Sequence, residues 1–274
     1  MKRTVLATIA ALAILPAAAH ADPSPRGVEK ATGYYLALGD SLAAGYQPGM
    51  GDDKTGGYVG GVLDAVRAQS PKTKLVNLAC SGETVATMVS GGRCAYEAGS
   101  QFDQALDFLH AHGQFTRVVT IDIGANDVQR CVRGLAIDLP CVQNGLNTVA
   151  TDLPMILGKL RSAAPNAQIV VLNYYNPFLA AWLTGPSGIQ VAQLSATLQT
   201  MLNGVIAGAA AANGALIADV AAAFHSTDWS PAPGTSVPTN VATICAWTWM
   251  CTKADIHAND AGYAVLAATV AGRL

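Results

Sequence analysis

Five short apolar runs, at 34–38, 74–79, 117–123, 168–175 and 215–219, recur along the chain with longer helical patterns between them. Runs of this length, rich in aromatic and β-branched residues, read as buried strands. Their alternation with helices restricts the fold to one parallel sheet covered on both faces. Helical periodicity is found at 58–69, 101–112, 144–164, 190–212 and 259–271. Ser70-Pro71, Gly113, Pro165 and Asn213-Gly214 end four of these patterns. Pro154 is expected to kink the third. Residues 45–57 form a glycine-rich loop, and 225–254 read as a long irregular segment. With no internal repeat and no linker, one domain is expected over 22–274.

Residues 1–21 read as a removable export signal. Lys2 and Arg3 precede an apolar stretch from Val5 to Ala18, broken by Pro16, and Ala19-His20-Ala21 is a small-residue cleavage site. A retained anchor is the alternative, but the stretch is short for a membrane span. Residues 22–33 read as a polar arm. Losing Lys2 and Arg3 moves the formal net charge from −2 to −4. No basic block is present, which argues against nucleic acid as a partner. No second long apolar run exists, so no permanent membrane span is expected. The six cysteines, Cys80, Cys94, Cys131, Cys141, Cys245 and Cys251, all follow the leader. An even number in an oxidising compartment predicts disulfides. Sequence does not fix their connectivity, but they fall as three local pairs, and Cys80–Cys94, Cys131–Cys141 and Cys245–Cys251 is the simplest scheme. No C-x-x-C or Cys/His cluster has zinc spacing, so neither metal nor cofactor is expected.

Three of the strand runs end in polar clusters: Gly39-Asp40-Ser41-Leu42, Cys80-Ser81-Gly82-Glu83-Thr84 and Gly124-Ala125-Asn126-Asp127. In a parallel sheet these turns share the carboxyl edge, where open α/β folds build their sites. Taken alone, Asp40 and Ser41 would equally suit a helix cap. Taken together, the clusters hold what acyl transfer needs. Ser41 Oγ is the candidate nucleophile. The N–H groups of Ser41 and Gly82, with the Asn126 side-chain amide, are candidate donors to a tetrahedral oxyanion. Glycine at 82 lets the backbone approach a substrate without a Cβ in the way. A base must be a histidine. His20 leaves with the leader, and His110 and His112 suit the C-terminal end of a helix. That leaves His225 and His257, of which His257 is favoured because Asp255 lies two residues upstream. Tyr174, Tyr175, Phe178 and Trp182 are candidate walls of an acyl pocket, as are Trp247 and Trp249; all could equally be core or loop anchors.

These blocks, with the late Asp/His pair, resemble the SGNH, or GDSL-motif, hydrolases over about residues 34–270. The loop cysteines resemble those of secreted actinobacterial-type members. The resemblance implies a flavodoxin-like three-layer α/β/α sandwich with a parallel sheet of about five strands. It also implies a secreted serine esterase or lipase working through an acyl-enzyme, with Ser41 as nucleophile, Ser41, Gly82 and Asn126 in the oxyanion hole and His257 as base. Asp40 and Asp127 are then structural hydrogen-bonders. A monomer acting on small-molecule, lipid or polysaccharide esters is expected. An acyltransferase with the same Ser-His site, or a catalytically silent binding protein, are the alternatives. The chain departs from the family pattern at its last block, where Ala254 stands three before His257 and Ala258 replaces the usual proline. Asp255 can therefore orient His257 only if 255–257 is extended, because residues two apart share a side of a strand and not of a helix. Otherwise a backbone carbonyl from 245–252 would take that part.

Overall fold

The computed structural model describes residues 33–274, so the expected leader and all but the last residue of the polar arm lie outside the described residues. The strands are, in chain order, β1 (Tyr34–Gly39), β2 (Lys74–Asn77), β3 (Thr116–Asp122), β4 (Val132–Arg133), β5 (Ala136–Ile137), β6 (Gln168–Leu172) and β7 (Leu216–Ala218). Five of them make one parallel sheet in the order β2-β1-β3-β6-β7; β4 and β5 form a small separate antiparallel hairpin. This is the flavodoxin-like order, and its switch point lies between β1 and β3.

The central strands are apolar throughout because both of their faces are covered. Tyr35, Leu36, Ala37 and Leu38 are wholly buried, and Leu36 sits in register with Val76 on one side and Val119 on the other. The helices Gly57–Gln69 and Asp260–Ala271 pack together as one layer; Leu139–Ala163 packs with Gln101–His112 and Pro186–Ala212 in the other. Right-handed crossovers require this division, since the chain reverses direction across the sheet after β2. No helix among the described residues is long and apolar enough to cross a membrane.

Helix boundaries differ from the sequence reading where capping chemistry overrides periodicity. The third long helix starts at Leu139, not near 144, because the Asp138 carboxylate accepts from Cys141 N–H at 3.1 Å and Pro140 suits the first turn. It runs unbroken past Pro154 to Ala163. The fourth starts at Pro186, directly after Gly185. The segment expected to be irregular holds two helices, Thr239–Trp247 and Met250–Lys253. Their apolar residues, among them buried Val241 and Ile244, pack onto the body of the fold. Disulfides Cys80–Cys94, Cys131–Cys141 and Cys245–Cys251 each close a loop at the sheet's carboxyl side: beside Gly82, around the β4–β5 hairpin, and just before Asp255.

Candidate active site

Ser41 follows β1 in a run of turns, and its position depends on the glycine before it. Gly39 has φ +137°, and a Cβ there would stand 2.7 Å from the Asp122 carboxyl carbon on β3. Only glycine lets the two strand ends approach so closely. Asp40 N–H donates to the Asp122 carbonyl at 3.1 Å, and Ala43 N–H to the Asp122 carboxylate at 3.3 Å, so the serine turn hangs from the end of β3.

His257 reaches Ser41 from the far end of the sequence. Its Nε2 lies 2.8 Å from Ser41 Oγ, and its Nδ1 lies 2.7 Å from Asp255 Oδ1. The same carboxylate oxygen accepts from His257 N–H at 2.9 Å. Residues 255–257 are not helical: Ala254 takes a left-handed conformation that ends the preceding helix, and the next begins at Asp260 under the Asn259 cap. Trp249 N–H donates to the His257 carbonyl, Thr248 pairs with Ala258, and the Tyr175 hydroxyl donates to the Ile256 carbonyl at 2.9 Å. Three contacts thus fix the histidine loop, and the Tyr46 ring packs on the imidazole at 4.4 Å. Ile256 lines the groove. His225 has no contact with Ser41; its ring neighbours Trp247.

Asn126 opens the short helix Ala125–Gln129 after β3, and one of its amide hydrogens is held by the Glu83 carbonyl at 2.9 Å. That contact joins the β3 turn to the Gly82 turn. Gly82 has φ +81°, a conformation other side chains rarely adopt. Among the described residues, the N–H groups of Ser41 and Gly82 donate to no protein acceptor. Two unspent backbone donors and a half-spent amide therefore stand at the ends of three neighbouring strands.

Beneath the serine lies a buried acid pair. Asp40 accepts from Leu42 N–H at 3.0 Å and from the Tyr174 hydroxyl at 2.9 Å, while Asp122 accepts from the Tyr58 hydroxyl. Burial raises both carboxyls above their usual range, and the Asp40 charge adds to the effect on Asp122, which is pushed well up. Two adjacent buried carboxylates resist ionising together. Asp127 accepts from Val85 N–H at 3.0 Å and is pushed up to about 6, chiefly by burial.

A groove lined by Ser41, Asn126, Gln129, Tyr174, Tyr175 and Ile256 leads to the serine. Past Gln129 it adjoins a small, largely apolar recess bounded by Val128, Ile137, Val142, Phe178 and Leu198. Of the aromatic residues picked from sequence, Tyr174 and Tyr175 line the groove and Phe178 the recess. Trp247 packs edge-on against Phe224, and Trp249 bonds Gln47, so both anchor loops. Sequence reasoning passed over Asp122, Gln101 and Gln129. Gln101 is fully buried and clamps Gly39 through both its N–H (2.7 Å) and its carbonyl (3.0 Å). An acid at the end of an otherwise apolar strand, and an amide on the inward face of a helix, were the available signals.

The sequence matches the GDSL-like lipase/acylhydrolase family over residues 37–265. No curated protein matches it in sequence. Among solved structures it is similar to phospholipase A1 from Streptomyces albidoflavus NA297, at 22% identity and a TM-score of 0.56, with 89% of this chain and 100% of that one covered. It is also similar to the lipase Lip_vut3 from a goat rumen metagenome, at 18% identity and a TM-score of 0.57, covering 88% and 97% of the two chains.

Proposed function

Because the chain belongs to the GDSL-like lipase/acylhydrolase family and is a carboxylic ester hydrolase, we propose that it works through an acyl-enzyme on Ser41. The observation that carries this reading is the continuous run from Asp255 Oδ1 to His257 Nδ1 and from Nε2 to Ser41 Oγ, at 2.7 and 2.8 Å, beside unspent N–H donors. Ser41 Oγ adds to the ester carbonyl carbon as His257 Nε2 takes its proton. Negative charge that gathers on the carbonyl oxygen is met by Ser41 N–H, Gly82 N–H and the free amide hydrogen of Asn126. His257 then gives the proton to the departing alkoxide. Water repeats the sequence in reverse and releases the acid. Asp255 holds the imidazole with Nδ1 protonated, so that Nε2 faces Ser41 as an acceptor.

The acyl chain is assigned to the side of Gln129, where the groove meets the apolar recess. Within the recess the amides of Asn176 and Gln199 and the Ser195 hydroxyl are already bonded to protein partners. An acyl chain lying there would leave those bonds intact. Export is the second part of the proposal: six paired cysteines fit an oxidising compartment, with the leader removed and the working domain at 22–274. One chain supplies every residue of the proposed site, so a monomer suffices.

An ester panel of increasing acyl length, run with and without an added alcohol, tests the reading. Hydrolysis that persists with alcohol present and disappears in His257→Ala is expected. Acyl transfer to the alcohol as the main reaction would make the protein a transferase, and full activity in His257→Ala would overturn the mechanism.

A further inference from the structure

We propose that Arg93 forms an anion subsite beside the oxyanion donors, so that the preferred ester carries a carboxylate or phosphodiester a few bonds from the scissile carbonyl. The proposal rests on the Ser41 reading above. The guanidinium lies directly over Gly82, where a Cβ would stand 2.7 Å from both Arg93 Cζ and Nε. Its Nε donates to the Ser81 carbonyl at 2.9 Å, which fixes the plane of the group. The Cys80–Cys94 disulfide fastens the two segments at residues adjoining Ser81 and Arg93. Arg93 is thus held against the donor turn from three directions.

It makes no direct ion pair within the described fold. Among the described residues the one ion pair is Asp255–His257, and Nη1 and Nη2 of Arg93 bond to no protein atom. Asp52 is bonded to the hydroxyl of Ser81, the residue whose carbonyl Arg93 holds. Glu83 is buried with one carboxylate oxygen bonded to Gln101, and it feels the Arg93 charge without a direct bond to it. Arg93 itself is exposed. A side chain needed only to cover Gly82 would not have to be charged, and this chain has few charges, 12% of its residues. A planar fork with free donors, set over Gly82, matches the geometry of a carboxylate or phosphate. The acyl recess lies toward β6, whereas Arg93 lies toward β2, so the two substrate ends need not compete for space.

The test compares matched esters. On the acyl side, 4-nitrophenyl hemisuccinate is set against 4-nitrophenyl butyrate. On the alcohol side, monomeric dihexanoylphosphatidylglycerol is set against dihexanoylglycerol. The readout is the ratio of kcat/KM for the charged ester to that for the neutral one, and the pair that responds identifies which end carries the anion. Arg93→Gln is expected to lower that ratio about tenfold or more in at least one pair, through KM, with Arg93→Lys recovering part of it. In the unmodified enzyme the same ratio should fall as ionic strength rises, because an exposed charge pair is screened. Ratios indifferent to both salt and substitution would overturn the proposal. So would equal losses on charged and neutral esters, which mark a structural role. Absence of turnover on every ester in the unmodified enzyme would instead remove the Ser41 reading, and this proposal with it.

Discussion

Asp255→Asn separates an orienting carboxylate from a bystander. Asp255 Oδ1 accepts twice, from the imidazole Nδ1 at 2.7 Å and from His257 N–H at 2.9 Å. A neutral asparagine oxygen in this place accepts both bonds more weakly and no longer balances the imidazolium, and the alternative rotamer presents the amide nitrogen to Nδ1. An amide N–H facing Nδ1 selects the tautomer protonated at Nε2, which donates toward Ser41 Oγ and cannot take its proton. For an Asp-His-Ser arrangement the loss from this change is about 10⁴ in kcat, or about 5 kcal/mol of barrier. The Asp255 side chain is 22% exposed, so in Asp255→Ala water can stand at Nδ1 and accept its proton. Asp255→Ala should therefore lose less than Asp255→Asn, a ranking that simple loss of packing would not produce. The assay is steady-state hydrolysis of a soluble 4-nitrophenyl ester, with thermal melting as the check on folding. A loss below about tenfold in a folded Asp255→Asn variant would refute the reasoning and move the orienting role elsewhere.

Three further outcomes are expected. Asn126→Ala should lower kcat by about 10²–10³ with little change in KM, since a donor to the oxyanion acts mainly in the transition state; stopped ester assays at saturating substrate decide it. Asp127 has a folded pKa of about 6, above its unfolded value near 4, so its protonated form favours the fold. That contribution is complete below about pH 4 and is lost as pH rises through about 6. Asp127→Asn keeps an acceptor for Val85 N–H, and should raise stability at pH 8 by roughly 2–3 kcal/mol while changing little at pH 4, read by denaturant unfolding; no gain at pH 8 would contradict it. Removing Cys245–Cys251 by double alanine substitution should cost about 2 kcal/mol from the short loop it closes, read by denaturant midpoint.

The fold was legible because its strands are buried on both faces and so lack polar interruptions; Leu36 and Val119 announce themselves without any partner being known. The residues of the candidate site were legible for the opposite reason, being polar residues at places where an apolar run stops. Asp122 escaped notice because it is the last residue of such a run, and only the close approach of Gly39 shows it holding the serine turn. Gln101 and Arg93 act through neighbours more than eleven residues away in sequence, Gly39 and Ser81 respectively, which no local pattern encodes. The helices within 225–254 were hidden by Pro231, Pro233 and Pro238, all of which precede the first helical residue, Thr239. The geometry of 255–257 could not be read from Asp255 and His257 themselves. It is set by Ala254, which ends the preceding helix in a left-handed conformation, and by the pairing of Thr248 with Ala258.

The nucleophile can be identified by covalent capture. The unmodified protein is treated with an activated alkyl phosphonate ester, which a hydrolytic serine attacks and does not release, and is then digested and mapped by mass. Ser41 as nucleophile predicts one phosphonyl group per chain, on the peptide that contains Ser41, with ester hydrolysis lost in proportion to labelling and no label in Ser41→Ala. A label on any other residue that tracks the loss of activity, or full hydrolysis by a completely labelled Ser41, would contradict it.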